Sequence, residues 1–213
     1  MRFAMSYSCG KDSTLALHKM IGEGHVPVCL VIMVNKKENR SYFHGADMEM
    51  LRKYETALGL PVILCPSDGA DYHMAFEEGL RRAKAMGAEA AAFGDIDIEG
   101  NRRWEEERCE HTGLIPFFPL WQCGREDTVC EVIRLGYRCV IKSLNPTLLP
   151  ESLLGRYIDE DSIQVMEEAG IDICGENGEY HTLTVDGPVF RTPLDVTVGS
   201  VLRFGGSSVV DIK

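Results

Sequence analysis

The chain has 213 residues, of which 45% are hydrophobic, 26% charged and 8% aromatic, so it holds enough apolar material for a full core and is not a disordered tail. Its 22 Lys and Arg stand against 33 Asp and Glu, a formal charge of −11 that disfavours a broad phosphate-tracking surface for DNA or RNA. No apolar run is long enough to span a membrane, polar Ser6 and Ser8 come too early for a signal peptide, and the eight cysteines form no C-x-x-C pair; a cytoplasmic protein with reduced, buried thiols is expected.

Phe3–Ser8 alternates like a strand and stops at Gly10, and Ser13–Ile21 then repeats apolar residues at helical spacing until Gly22 and Gly24. Val26–Val34 is apolar on both faces, as a central parallel strand requires, and Met48–Leu58 is an amphipathic helix closed by Gly59. The pattern recurs as Val62–Cys65 with Tyr72–Met86, Ala88–Phe93 with Trp104–Cys109, and Leu114–Leu120 with Thr128–Leu135, before a strand at Arg138–Lys142. Helix-length segments between buried strands require crossovers, which predicts an α/β fold: a doubly wound parallel sheet over residues 1–145. Pro146 and Pro150 then interrupt, Glu160–Ala169 is the last clear helix, and short strands are expected at Thr182–Val185, Val189–Arg191, Asp195–Val198 and Val201–Phe204. Residues 146–213 thus read as a small α+β domain whose apolar edges could pair two copies of the chain.

The turn Ser8-Cys9-Gly10-Lys11-Asp12-Ser13 falls between the first strand and the first helix, at the sheet edge where open parallel sheets bind ligands. A helix N-terminus offers unpaired N–H groups, Gly10 permits close approach, and Ser8 and Ser13 add hydroxyls, which together suit a polyphosphate. Lys11 would neutralise phosphate charge, whereas Asp12 would repel phosphate unless a Mg²⁺ ion bridged them. The G-x-x-x-x-G-K-[ST] loop is absent. The plainer reading is a Ser/Gly turn with Asp12 capping a helix.

This turn resembles the SGGxDS motif of the PP-loop ATP pyrophosphatase superfamily, with Cys9 in place of a glycine. Gly175-Glu176-Asn177-Gly178-Glu179-Tyr180-His181-Thr182, followed by Asp186-Gly187-Pro188-Val189-Phe190, resembles the G-E-G-G-E-[FY]-E-T … D-G-P-x-F signature of the diphthine-ammonia ligase family. Tyr42-Phe43-His44, Gly94-Asp95-Ile96, Pro119-Leu120-Trp121 and Leu154-Gly155-Arg156 extend the similarity over nearly the whole chain. The resemblance implies an enzyme that splits ATP between the α and β phosphates and converts the carboxylate of diphthine, on translation elongation factor 2, to an amide with ammonium. It implies nucleotide contacts at Ser8–Ser13, His44, Gly94 and Asp95, and acceptor contacts at Gly175, Glu176, Gly178, Glu179, Tyr180 and Thr182; His44 could equally touch the acceptor or be a solvated loop histidine, and Asp95 could bind ribose or metal or cap the segment that follows. A Glu176/Glu179 carboxylate pair could hold ammonium and take its proton, and Asp12 would carry the metal; two solvated acids on a tight loop is the alternative.

The match departs from the family at Asn177 and His181, where the motif has Gly and Glu, and in the Asn101–Glu107 stretch. Arg102, Arg103 and Arg108, interleaved with Glu105, Glu106 and Glu107, read as a solvated helix face. His18, His73 and His111 read as ordinary, and Trp121 as a packing anchor. The departures leave open an adenylating enzyme with another acceptor, a tRNA base or a small metabolite, and a nucleotide-binding sensor without chemistry.

Overall fold

The computed structural model of the chain describes residues 1–204 and 206–213. In chain order its elements are β1 (Arg2–Ser6), α1 (Lys11–Gly22), β2 (Val26–Asn35), β3 (Arg40–Ser41), α2 (Met48–Leu58), β4 (Val62–Ser67), α3 (Tyr72–Ala85), β5 (Ala90–Ala92), α4 (Glu99–Thr112), β6 (Ile115–Phe117), α5 (Arg125–Arg134) and β7 (Arg138–Leu144). A 3₁₀ turn at Glu151–Leu153 leads to α6 (Glu160–Glu168), β8 (Tyr180–Asp186), β9 (Val198–Phe204) and β10 (Ser207–Ile212).

Five parallel strands run in the order β4-β2-β1-β5-β6, and the two-residue β3 adds antiparallel to the end of β2. The first strand is central and the order reverses between β1 and β5, so a crevice opens at their carboxyl ends. Period-two alternation decides which side chains face which layer. Phe3, Met5, Leu30 and Ile32 point to the face covered by α1, α2 and α5, while Ala4, Cys29 and Val31 point to the face covered by α3 and α4. Each fully buried aliphatic chain contributes roughly 1.5–3 kcal/mol. No helix among the described residues is long and apolar enough to cross a membrane.

The second sheet is antiparallel, in the order β8-β7-β10-β9. This corrects the expectation for Arg138–Lys142: β7 does not extend the parallel sheet but pairs with β8 and β10. A strand buried along its length carries no alternation that distinguishes the two settings. Val189–Arg191 is not a strand either, because the Arg191 N–H is spent on the Ala57 carbonyl at the end of α2, at 2.7 Å. Of Asp195–Val198 only Val198 is in a strand, and a further strand, β10, follows the expected ones. The face of the parallel sheet bearing α1 shares one continuous core with the second sheet, in which Leu15 and Ile32 join Cys139, Leu183 and Val210.

Candidate active site

At the switch point β1 ends and the chain turns into α1 through Ser8–Gly10. Cys9 takes φ 73°, a left-handed conformation that glycine adopts freely, which accounts physically for the glycine in the motif it departs from. Its buried side chain joins the core. Gly10 caps α1 without a side chain, and its carbonyl receives the Ser13 and Thr14 hydroxyls at 3.1 and 2.8 Å. A Cβ on Gly10 would stand 2.3 Å from the His44 ring, and one on Gly94 would stand 2.8 Å from the Ser13 nitrogen. Both glycines are therefore required by close approach, and Gly94 brings the end of β5 against the opening turn of α1.

The turn is held from the second sheet. The Lys11 N–H donates to Thr182 Oγ1 at 3.1 Å and the Thr184 N–H to the Cys9 carbonyl at 2.8 Å. His44 Nδ1 donates to the Thr182 carbonyl at 2.6 Å. Burial, the His181 ring at 5.2 Å and the charge of Lys11 bring His44 down to about 3 despite that bond, so the ring is neutral.

A cavity of about 390 Å³ opens over this junction, its walls including Ser8, Asp12, Ser13, Gly94, Asp95 and Glu176. Lys11 is buried, with Nζ 2.8 and 2.9 Å from the two Asp12 oxygens and 5.7 Å from the Tyr180 ring centre. Burial opposes its charge, but Asp12 outweighs that, and its pKa stands well above the ordinary lysine value. Glu176 is pushed up to about 7 by burial and then by Asp12.

Donor atoms of Asp12, Cys174 and Glu176 lie within 4.8 Å of one another. Two carboxylates are the hard oxygen donors that Mg²⁺ takes, and the cation would relieve the repulsion that raises Glu176; the thiol is a poor ligand for it. Asp95 accepts from Asn101 Nδ2 at 2.9 Å, and the carboxyls of Asp95 and Glu105 both have raised pKa values, burial being the main cause and their mutual repulsion adding to it for Glu105. The lining also includes the aromatic side chains of Tyr42, Phe43, Tyr72 and Trp104.

The expected Glu176/Glu179 pair is divided. Glu176 faces the cavity, whereas Glu179 is buried and accepts from the Asn177 backbone and side-chain nitrogens at 3.1 and 3.0 Å. Gly175 (φ 77°) and Gly178 (φ 85°) form the turns of this loop. Tyr180 donates to the Ile173 carbonyl at 2.6 Å beneath it.

Sequence reading missed Arg125, which grips Asp97 through two nitrogens and also bonds Asp172 and Asn177, tying the 172–179 loop to the segment after β5. The solvated face assigned to α4 needs correction. Arg108 is buried against Glu77 and the Trp104 ring, Arg102 lies 4.7 Å over the Trp121 ring, and Glu105 reaches the cavity. Two of the eight thiols, Cys123 and Cys130, are exposed rather than buried.

Family models described as the diphthamide synthase N-terminal and C-terminal domains match residues 1–116 and 124–213. The diphthine–ammonia ligase of Homo sapiens is 26% identical over 227 residues, covering 95% of this chain and 85% of that protein. The Mus musculus protein of the same name is 27% identical over 221 residues, covering 92% and 83%. Among solved structures, a chain titled as a predicted subunit of tRNA methyltransferase from Methanocaldococcus jannaschii aligns with a TM-score of 0.47 at 11% identity, over 91% of this chain and 100% of that one. With its two sheets matched by the two domains of one family, this chain belongs to the diphthamide synthase family and is an enzyme of it.

Proposed function

We propose that the enzyme forms an amide from a carboxylate, ATP and ammonium in the cytoplasm, and that the acceptor is diphthine on elongation factor 2, as the name of its relatives suggests. The observation that carries the reading is the junction itself: the opening turn of α1, with N–H groups that no helical carbonyl can pair, faces a cavity holding Asp12 and Glu176.

A carboxylate cannot exchange oxygen for nitrogen at neutral pH without a better leaving group. Its oxygen therefore attacks the α phosphorus of ATP, the bond to the β-phosphate oxygen breaks, and pyrophosphate leaves; ammonia then attacks the acyl carbon and AMP leaves with the transferred oxygen. The Ser8 and Ser13 hydroxyls and the Asp12 and Ser13 N–H groups receive the departing phosphates, and Lys11, its own N–H held by Thr182, keeps a positive charge beside them. Asp12 and Glu176 would hold Mg²⁺, which when bound offsets the charge of the polyphosphate. The aromatic lining takes the base, with Gly94 and Asp95 along the ribose side. Glu176 accepts the proton of ammonium, while Glu179 shapes its loop.

The test incubates diphthine-bearing elongation factor 2 with enzyme, ATP, Mg²⁺ and ¹⁵N-ammonium. ¹⁵N in the protein with AMP and pyrophosphate is expected; ADP and phosphate would remove the adenylation step. Asp12→Ala should lower AMP formation by about 10²–10³-fold, and an unchanged rate would take Asp12 out of the site. His181, in place of the acid of the motif, favours a second reading in which the same chemistry acts on a different carboxylate; amidation absent with diphthine but present with another acid would select it.

A further inference from the structure

A second cavity of about 440 Å³ lies between the Arg40–Gly45 turn and the second sheet, and it shares Ser41, Tyr42 and Phe43 with the wall of the first. Lys142, on β7, lines it. The residue is 1% exposed, its ammonium donates to the Val210 carbonyl, and no other acceptor among the described residues bonds it. Burial and the positive charge of Arg40 bring it down to about 8, with Asp211 and Asp47 opposing. Arg40, also in the lining, donates to the Gly45 carbonyl at 3.1 Å and reaches Asp211 at 3.4 Å. Glu38 and Asp211 line the same cavity, but neither bonds the Lys142 ammonium, which keeps spare donors toward the space.

Across the shared wall Asp12, Asp95, Glu105 and Glu176 line the first cavity with no Lys or Arg among its lining residues, whereas the second sets Arg40 and Lys142 against Glu38 and Asp211. A carboxylate entering the first cavity finds no basic lining residue, whereas one entering the second finds Lys142 beside an Asp211 already paired with Arg40 and Lys213. The rim is apolar and exposed: Phe43 is 70% and Leu202 45% exposed, and both border the cavity. A free small molecule would gain nothing from apolar surface outside the space it fills, but a protein surface covering it would.

We infer that the second cavity is where the acceptor docks: it takes a carboxylate-bearing side chain of a protein substrate, the carboxylate meeting Lys142 and Arg40 and the surrounding polypeptide resting on Phe43 and Leu202. The inference builds on the amide-forming reading and adds the place where the acceptor arrives and the side chains that meet it.

Two measurements test it. In the first, NMR follows the side-chain signal of Lys142, assigned by its loss in Lys142→Met, during titration with glutarate and, separately, with the uncharged glutaramide, without nucleotide. A saturable shift with glutarate and a response at least tenfold weaker with glutaramide are expected; no saturable shift, or equal responses, overturns the inference. In the second, Lys142→Met and Arg40→Gln are assayed with diphthine-bearing elongation factor 2 after circular dichroism has verified folding. The KM for the acceptor should rise tenfold or more in the first and several-fold in the second, with the KM for ATP unchanged. An unchanged acceptor KM in both variants overturns it. If wild-type enzyme forms no amide, the amide-forming reading fails while the glutarate result stands apart.

Discussion

Glu176 carries the most specific electrostatic expectation of any single residue. Burial and the Asp12 charge raise it to about 7, so in the metal-free protein its carboxyl signal should titrate near that pH in NMR. A raised carboxyl binds its proton more tightly in the folded state. Its contribution to stability is therefore present below the unfolded value, near 4.5, and is lost as pH rises through about 7. Glu176→Gln should accordingly melt above wild type at pH 8, and a lower melting temperature would contradict this sign. Because Mg²⁺ held by Asp12 and Glu176 would relieve the repulsion that raises Glu176, the amidation rate with Mg²⁺ should level off below the metal-free value of about 7, and Glu176→Gln should lower it by about 10²-fold or more. At this scale the sequence is legible where chemistry is unusual, as at Asp12 beside a phosphate-binding turn. It is not legible where a side chain's direction decides: Glu176 and Glu179 look alike in the motif, and only the bonds from Asn177 turn one of them away.

Strand β8 is the element that joins the two halves of the site. Thr182 accepts from the Lys11 N–H through its hydroxyl and from His44 through its carbonyl, while Thr184 holds Cys9. Thr182→Val keeps the shape and removes the hydroxyl acceptor, leaving a buried N–H unpaired at a cost of about 1–3 kcal/mol. Loss of that stability in urea denaturation, with weaker ATP binding and recovery of both in Thr182→Ser, is expected; a neutral Thr182→Val would show that the clamp does not matter. The parallel strands were readable because each has a glycine or turn signal at its end. Strand β7 was not, since its fully buried run fits either sheet, and the Val189–Arg191 segment looks like a strand yet spends an N–H on capping α2.

Across the whole molecule, the order β4-β2-β1-β5-β6 places the crevice, and the core shared by the parallel sheet and the second sheet keeps β8 against it. Two sheets with one core should unfold together. Scanning calorimetry should show one transition with equal calorimetric and van't Hoff enthalpies; two separated transitions would mean that the second sheet is an independent unit. The doubly wound class was legible from alternation alone, but the second cavity was not, because Lys142 and Leu202 meet only through the pairing of β7, β10 and β9, and Arg40, on β3 of the other sheet, reaches them through Asp211 on β10.

The central claim, that the acceptor carboxylate attacks the α phosphorus, is tested most directly by following an oxygen atom. With ¹⁸O in the carboxylate of diphthine on elongation factor 2, ATP, Mg²⁺ and ammonium, the account predicts one ¹⁸O in the phosphate of AMP and none in pyrophosphate. Label in inorganic phosphate or pyrophosphate, with none in AMP, would contradict it.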